Sequence, residues 1–570
     1  MYSQSIIHIM KNSYLTPTLK QSGILILINA HKPLCFPDKH VGIGTERFRC
    51  KKGLTTFLGL ITFIAILITG CNDEMVERFP EVEQPNIVII YADDVGYGDV
   101  GVYGAEKIPT PHLDQMAADG IRFTSAYATA ATCTPSRYSL MTGLYAFRNE
   151  DASVLPGDAP MLLEPGMVTL PSVLQAAGYR TSVVGKWHLG LGDGNMDWNE
   201  AIRPGPLEVG FDESFLLPAT NDRVPTVYVE GHYVKGLSEE DDPLRVSYEG
   251  PIGDLPTGMS HPELLHYPAD EQHSGTIVEG ISRIGWQDGG QSAWWDDQQM
   301  ALVFAERAEE FIRRTHEQGP FFLYLSMHEN HVPRWPHPQF VGESEVGLRG
   351  DTVVELDWVV GQVVETVEEL GLQEETLILF TSDNGPVLFD GYEDGALEEN
   401  NGHDPIGPFR GGKYIAFEGG TRMPTIASWP GVIEAGLESD AIFSQVDLLA
   451  TFASLAGAEI PVGVDLDSED LLDVLLGRSF QGREHVVQQS TDGLAIRKDN
   501  WKYIEPGNRS EWAYIRHNLG DTPMNITPLT SGAYLFDLAE DPGEMTNLAE
   551  EYPEKVEELH ELLQNIKSEY

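Results

Sequence analysis

Short apolar runs alternate with longer amphipathic segments along most of the chain. Residues 86–91 are an unbroken run of mainly β-branched and apolar side chains, which is typical of a strand buried on both faces of a parallel sheet. Segments in which apolar side chains recur every three or four positions indicate helices that cover such a sheet. The pattern predicts strands at 86–91, 122–127, 181–185, 321–325 and 376–381, and helices at 111–119, 170–177, 297–314 and 351–370.

This alternation predicts an α/β fold with a large, mostly parallel sheet flanked by helices. The pattern changes beyond about residue 457, where we expect a smaller antiparallel sheet and a terminal helix. The strands and the helix of this part are predicted at 494–497, 501–504, 534–538 and 553–567. Residues 221–297 are rich in Gly, Pro and acidic side chains and lack periodicity, so we expect loops over the sheet edge, where specificity is usually built.

The N-terminal part has the pattern of an export signal. Lys51 and Lys52 precede an apolar run, and residues 67–71, Leu-Ile-Thr-Gly-Cys, resemble the cleavage site of a bacterial lipoprotein. That resemblance implies that Cys71 is lipidated and becomes the mature N-terminus. A single membrane anchor is the alternative, but the run is shorter than the roughly 20 residues that a spanning helix needs. We expect an exported outer-membrane lipoprotein, on the periplasmic or the cell-surface face.

Four segments follow from these patterns. We predict a leader over residues 1–70, whose first part is an over-extended start, and a polar tether over 71–84. A catalytic domain over 85–456 and a C-terminal subdomain over 457–570 complete the predicted organisation.

Composition narrows the function. The 570 residues include 37 Lys and Arg against 88 Asp and Glu, a formal net charge of −51. No basic tract offsets this charge, so we exclude sequence-independent binding to nucleic acid. With 41% hydrophobic residues the chain can bury a large core. An anionic substrate would need a local cluster of cations in this negative field.

The cysteines are too few for a disulfide scaffold of this length. Cys35 and Cys50 leave with the predicted leader, and Cys71 carries the predicted lipid. Cys133 then remains as an unpaired thiol in an exported protein. Because exported proteins meet oxidising conditions, such a thiol indicates a chemical role. The alternative is that Cys133 is a small buried apolar residue, as most free cysteines are.

Two predicted strands end in oxygen-bearing side chains. Asp93 and Asp94 follow the strand at 86–91, and Asp383 and Asn384 follow the strand at 376–381. The carboxyl ends of parallel strands are where such sheets bind ligands. Three carboxylates and one amide suit Ca²⁺ or Mg²⁺ better than zinc. Taken singly, each pair would be read as a turn or a helix cap.

A second set of residues supplies positive charge and proton carriers. It consists of Arg137, Lys186, His188 and Lys413. Alone, each would be an ordinary loop or surface residue. Together with a divalent cation, such a set is what hydrolysis of an oxyanion ester requires.

Two long motifs make the chemistry specific. Residues 133–143, Cys-Thr-Pro-Ser-Arg-Tyr-Ser-Leu-Met-Thr-Gly, match the first sulfatase signature, and residues 178–190 match the second. From about Asn86 to the C-terminus, including the ending at 541–548, the chain resembles the formylglycine-dependent sulfatases. This resemblance implies the alkaline phosphatase-like fold and hydrolysis of sulfuric esters.

The resemblance also assigns roles. Cys133 would be oxidised to formylglycine (3-oxoalanine) by a formylglycine-generating or sulfatase-maturating enzyme, and Arg137 would steady the aldehyde hydrate. One Ca²⁺, with Mg²⁺ as the alternative, would be held together with the hydrate oxygen of residue 133. Its other implied ligands are Asp93, Asp94, Asp383 and Asn384.

The remaining implied roles concern the sulfate group. Lys186 and Lys413 would bind its oxygens, and His188 would act as the base on the hydrate. His331 would protonate the leaving alcohol. His328 lies three residues away and competes for this role, but the His-Val-Pro context of residues 331–333 fits the family better.

The substrate is predicted from the predicted export and the acidic composition. Both favour a sulfated algal glycan such as ulvan, carrageenan or fucoidan. Asn221, Arg223 and Arg334 are candidates for the sugar subsite, although an ordinary polar loop explains them equally well.

Two rival functions stay open. A phosphonate or phosphate monoester hydrolase of the same superfamily would share the cysteine motif, but it would usually recruit more metal ligands than are found here. A non-catalytic glycan-binding lipoprotein would be expected to have lost Cys133, His188 or Lys413, and all three are present.

Overall fold

The computed structural model describes residues 84–510, 512, 526 and 529–569. They belong to one compact unit that spans Glu77–Tyr570. The predicted leader, Cys71 and all but the last residue of the tether lie outside the described residues, and the predicted boundary at 456/457 stays a prediction. Within the described residues, no helix has the length and apolar character that crossing a bilayer requires.

The described residues form the following strands and helices, in chain order. The strands are β1 (Asn86–Ala92), β2 (Ile121–Phe123), β3 (Ala126–Tyr127), β4 (Arg180–Lys186), β5 (Glu213–Leu217), β6 (Val229–Glu230), β7 (Tyr233–Val234), β8 (Arg245–Ser247), β9 (Ile277–Val278), β10 (Ile281–Ser282), β11 (Trp286–Asp288), β12 (Phe321–Ser326), β13 (Thr376–Ser382), β14 (Thr425–Ser428), β15 (Leu437–Ser439), β16 (Phe443–Ser444), β17 (His485–Ser490), β18 (Gly493–Lys498), β19 (Trp501–Ile504) and β20 (Tyr534–Asp537). The helices are α1 (Pro111–Ala118), α2 (Cys133–Thr142), α3 (Leu170–Ala176), α4 (Met300–Thr315), α5 (Gly347–Glu369), α6 (Glu418–Thr421), α7 (Leu448–Ala456), α8 (Leu472–Leu475) and α9 (Pro553–Ser568).

A ten-stranded sheet forms the centre, in the order β15-β2-β14-β13-β1-β12-β4-β5-β6-β7. The five strands from β13 to β5 run parallel to one another. Strand β14 is antiparallel to both β13 and β2, and β6 and β7 are antiparallel at the other edge. The predicted α/β fold is confirmed: the sheet is mixed, with a parallel centre.

Strand β1 is buried on both faces. Ile87 and Ile89 belong to the core on one face, and Val88 and Ile90 belong to the core on the other. All four side chains are fully shielded from solvent. Each such burial is worth about 1.5–3 kcal/mol, which explains why this segment is an unbroken apolar run and not an alternating one.

The C-terminal antiparallel sheet is also confirmed. Its strand order is β17-β18-β19-β20, and helix α9 covers one face with Leu559 and Leu563 against Ile496. On the opposite face, Ala495 packs in a cluster with Phe417. The second sheet therefore supports the segment just after Lys413.

The long segment predicted as loops carries only short strands. Between residues 221 and 297 the strands β6 to β11 have two or three residues each. Irregular backbone hydrogen bonds and side-chain contacts, such as those of Gln287 with Thr226, hold the segment, and they do not leave a periodic pattern in the sequence.

Candidate active site

The carboxyl ends of four parallel strands meet at one edge of the central sheet. Ala92 pairs with Ser382, and Ser326 pairs with both Tyr91 and Gly185. The residues that follow or end these strands therefore project into one region. They are Asp93, Asp94, Lys186, Asp383 and Asn384.

Cys133 enters the same region from helix α2. It is the first residue of that helix and is 1% exposed. Helical spacing places Arg137 one turn later on the same side. Thr134 ties the helix to the second signature, because its hydroxyl donates to the carbonyl of His188 at 3.0 Å. Burial raises the pKa of the Cys133 thiol, which is the opposite of what an activated thiolate nucleophile requires.

Each aspartate is paired with a buried cation. Lys186 Nζ lies 2.5 Å from Asp93 Oδ2, and Lys413 Nζ lies 2.8 Å from Asp94 Oδ2. The third pair joins Arg137 Nη2 to Asp383 Oδ2 at 2.7 Å. All six side chains are at most 2% exposed, so each charge depends on its partner for solvation.

The aspartates respond differently to this environment. Burial, together with the charge of Asp383, raises the pKa of Asp93 well above its usual range. Burial alone would raise the pKa of Asp383 too, but Arg137 and Lys186 outweigh it and lower that pKa. The negative charge of Asp93 is therefore only partly offset by its neighbours, and this favours binding of an additional cation.

The residues present fit a hard metal ion. Ligand atoms of Asp93, Cys133 and Asp383 lie within 4.8 Å of one another. Asp93 Oδ1 and Asn384 Oδ1 are buried and have no hydrogen-bond partner within the described part of the chain. Such orphaned oxygens are what Ca²⁺ or Mg²⁺ would satisfy. Asp94 adjoins this group, since its Oδ1 accepts from Asn384 Nδ2 at 2.7 Å, and the role of these residues as metal ligands stays a prediction.

The two predicted catalytic histidines are buried, in surroundings that disfavour the protonated ring. His331 Nδ1 donates to the carbonyl of Val332 at 2.6 Å, which leaves Nε2 for the substrate. Burial, followed by the charge of Lys413, lowers the pKa of His331 well below its usual range. His188 Nε2 lies 2.9 Å from the carbonyl of Leu155, and its buried Nδ1 has no partner among the described residues. Burial and Lys186 lower the pKa of His188 as well.

The competitor His328 faces a different environment. Its ring packs edge-on against Phe304 and its Nδ1 lies 3.2 Å from Glu329. Burial lowers its pKa to about 3. His331 lines the pocket over Cys133, and His328 does not. The geometry thus favours His331 for contact with a substrate.

A pocket opens above the cluster. Cys133, His331 and Lys413 line it, together with Arg223, one of the three candidates for sugar binding. Arg223 Nη1 donates to Asp222 Oδ1 at 2.9 Å.

The other two candidates lie outside this pocket lining. Asn221 Nδ2 donates to the carbonyl of Pro333 at 3.2 Å. Arg334 is 1% exposed, and its guanidinium bonds the carbonyl of Val387 and the carboxylate of Asp394. Through these contacts both residues hold the loops around the pocket, and their role in sugar binding stays a prediction.

Three titratable residues of the pocket lining were not predicted from the sequence. His273 comes from the segment without periodicity, and Asp390 and Tyr414 come from the long loop after β13. Burial lowers the pKa of His273, but hydrogen bonds to Asp222 and Asp270 outweigh it and raise that pKa to about 9. Tyr414, directly after Lys413, was the only one that its position could have signalled.

Comparison with known proteins gives the family. The sulfatase family matches residues 85–458. An N-acetylgalactosamine-6-O-sulfatase of Bacteroides thetaiotaomicron is 44% identical over 521 residues, which cover 91% of this chain and 100% of the relative. Arylsulfatase A of Bos taurus is 32% identical over 507 residues, which cover 85% of this chain and 87% of the relative.

The structures agree with the sequences. A solved structure described under the metabolism of multiple glycosaminoglycans by Bacteroides thetaiotaomicron superposes with a TM-score of 0.79 at 45% identity. The superposition covers 85% of this chain and 100% of the chain in that solved structure. The family match and these relatives show that the chain belongs to the sulfatase family of sulfuric ester hydrolases.

Proposed function

We propose that this sulfatase removes 6-O-sulfate from N-acetylgalactosamine residues of a sulfated glycan or its oligosaccharides, with formylglycine at position 133 and one Ca²⁺. The observation that carries the chemistry is that Cys133, His331 and Lys413 share one pocket above a paired carboxylate cluster. The sugar is proposed from the N-acetylgalactosamine-6-O-sulfatase, because that relative is matched over its whole length.

Two groups would complete the site. When present, formylglycine supplies a hydrated aldehyde as nucleophile, and Ca²⁺ supplies positive charge for the sulfate oxygens. The raised pKa of the Cys133 thiol supports conversion of this residue, since an unconverted thiol here is a poor nucleophile. The residues that would hold the ion are Asp93, Asp94, Asp383 and Asn384.

The other side chains bind the sulfate ester, move protons or hold a carboxylate in place. Lys186 and Lys413 donate to its non-bridging oxygens and stabilise the negative charge that builds up there. His331 must carry a proton on Nε2 as well as on Nδ1, a form that the negative charge of the bound sulfate ester favours, and it delivers the Nε2 proton to the departing sugar oxygen. His188 receives a proton through its unpartnered Nδ1. Arg137 keeps Asp383 ionised and in place.

The location and the partners of the enzyme are also proposals. Export and a lipid on Cys71 would hold it at the outer membrane, on either the periplasmic or the cell-surface face. A formylglycine-generating or sulfatase-maturating enzyme would act on Cys133 before folding buries it. The algal glycans predicted from the acidic composition remain alternative substrates at the same site.

Sulfate release from a panel of substrates tests the proposal. The chain is co-expressed with a formylglycine-generating enzyme, supplied with Ca²⁺ and given N-acetylgalactosamine 6-sulfate, its 4-sulfate isomer, chondroitin 6-sulfate disaccharide and oligosaccharides of ulvan, carrageenan and fucoidan. Released sulfate is measured by ion chromatography, with Cys133→Ser as the inactive control. We expect release from the 6-sulfated amino sugars and none from the 4-sulfate.

Each other result has a defined meaning. Release from an algal oligosaccharide alone would replace the proposed sugar and keep the reaction. With formylglycine proven at position 133, no release from any glycan or from 4-nitrophenyl sulfate would contradict the proposal. Phosphonate and phosphate esters would then be tested, since the rival hydrolase would turn them over.

A further inference from the structure

Lys413 is held between two carboxylates. Its Nζ lies 2.8 Å from Asp94 Oδ2 and 3.0 Å from Asp390 Oδ2. A lysine ammonium has three N–H donors. Two are directed by these carboxylates, so the third has a defined direction. Asp94 is a predicted metal ligand, whereas Asp390 has no role in the reaction described above.

Asp390 is in turn fixed by Tyr414. The phenol hydroxyl lies 3.0 Å from Asp390 Oδ1 and 2.9 Å from Asp390 Oδ2. The carboxylate is 20% exposed, so without this contact it would be free to turn toward solvent. Tyr414 directly follows Lys413 in the chain, and Asp390 therefore accepts hydrogen bonds from both neighbouring side chains.

The backbone of Tyr414 is strained. Its φ is +76°, a left-handed conformation that is rare for a bulky side chain. Such conformations persist only where surrounding contacts enforce them, and they cluster at functional sites. Here the N–H of Tyr414 donates to the carbonyl of Ala131 at 2.6 Å. The carbonyl of Tyr414 accepts from the backbone N–H and the hydroxyl of Thr491, in the turn between β17 and β18.

These contacts join three parts of the site. Ala131 lies two residues before Cys133, and Thr491 belongs to the C-terminal sheet. We propose that Asp390 and Tyr414 are positioning residues that aim the Lys413 ammonium at the sulfate group. The inference rests on the proposed function in one respect, the contact between Lys413 and sulfate.

A direct contact between Asp390 and the sugar is the competing explanation, because Asp390 also lines the pocket. The two explanations differ in which kinetic constant changes. A positioning residue acts in the transition state on every sulfate ester, so kcat falls for small and large substrates alike. A sugar-binding residue would change KM for the glycan and leave an aryl sulfate unaffected.

The test compares variants on 4-nitrophenyl sulfate and on the best glycan substrate. We expect Asp390→Ala to lower kcat about tenfold on both, the effect of losing one hydrogen bond to a charged group. KM should stay within about twofold, and Asp390→Asn, which keeps an acceptor oxygen, should recover most of the rate. Tyr414→Phe should lose roughly threefold, since it removes a single donor to Asp390.

Two controls separate this effect from general damage. Asp440→Ala removes an exposed carboxylate far along the chain and should behave as the parent protein. In a Lys413→Ala background, adding Asp390→Ala should cost nothing further, because the residue acts through Lys413. An unchanged kcat in Asp390→Ala, a change confined to KM for the glycan, or additive losses in the double variant would each overturn the proposal.

A crystal structure of Asp390→Ala gives a result that does not depend on turnover. The lysine ammonium should leave its position beside Asp94 or occupy several positions, while Asp93 and Asp383 stay in place. An unmoved Lys413 would refute the positioning role even if the parent protein hydrolyses sulfate esters. If Lys413 is displaced in the variant but the parent protein has no sulfatase activity, the proposed function alone is refuted.

Discussion

Replacing His331 by alanine should damage turnover of sugar sulfates far more than turnover of aryl sulfates. The ring is fixed by its Nδ1 contact with Val332 at 2.6 Å, so only Nε2 can serve a substrate. A sugar alkoxide is a poor leaving group and needs a proton in the transition state, whereas 4-nitrophenolate needs little help. General acid catalysis is worth about 100- to 10,000-fold.

The proton on His331 should also make the rate depend on pH in a definite direction. Burial and Lys413 lower the pKa of His331 in the free protein, and the negative charge of a bound sulfate ester offsets Lys413. The protonated ring is lost as pH rises, so the rate on a sugar sulfate should fall toward high pH through this group. His331→Ala should remove that fall together with most of the rate.

The assay is kcat on a sugar 6-sulfate and on 4-nitrophenyl sulfate between pH 5 and 9. We expect His331→Ala to lose about 100-fold or more on the sugar sulfate and about tenfold or less on the aryl sulfate. His261→Ala, a change at an exposed histidine, is the matched control. Equal losses on both substrates would refute the assignment of His331 as the proton donor.

Three further predictions concern the metal and the buried charges. Chelation with EGTA should abolish turnover and lower the melting temperature, both restored by Ca²⁺; an ion at 100 times its Kd adds about 2.7 kcal/mol of stability. Lys502→Met should cost about 3–5 kcal/mol in urea unfolding, because it removes the buried cation paired with both Glu544 and Glu418, of which Glu418 keeps Arg422; Lys567→Met at the surface should be nearly neutral. Burial raises the pKa of Glu544 from 4.5 to about 7, so its contribution to stability is lost as pH rises through that range. Glu544→Gln should therefore gain stability relative to the parent from pH 5 to pH 8, and a constant difference in unfolding free energy would contradict this.

Much of the site could be predicted because its residues follow regular elements. A buried parallel strand is an unbroken apolar run, so its end marks the position of Asp93 and of Asp383. The signature around Cys133 identified the residues of that segment, but the helix that begins at Cys133 was not predicted. The central sheet and the C-terminal hairpin were predicted for the same reason, since apolar periodicity reports burial directly.

The residues that the sequence did not reveal lie in irregular segments. His273, Asp390 and Tyr414 reach the pocket through loops, and the left-handed backbone at Tyr414 leaves no pattern in the sequence. The partners of Arg334 could not be predicted either, because the carbonyl of Val387 and the carboxylate of Asp394 are brought to it only by the fold.

The measurement that tests the central claim most directly is the rate of sulfate release as a function of the fraction of formylglycine at position 133. Preparations with graded conversion are obtained by varying the co-expressed maturation enzyme, and peptide mass spectrometry gives the converted fraction. The account predicts a rate proportional to that fraction, with a zero intercept and no rate in Cys133→Ser. Undiminished turnover by unconverted protein would contradict it.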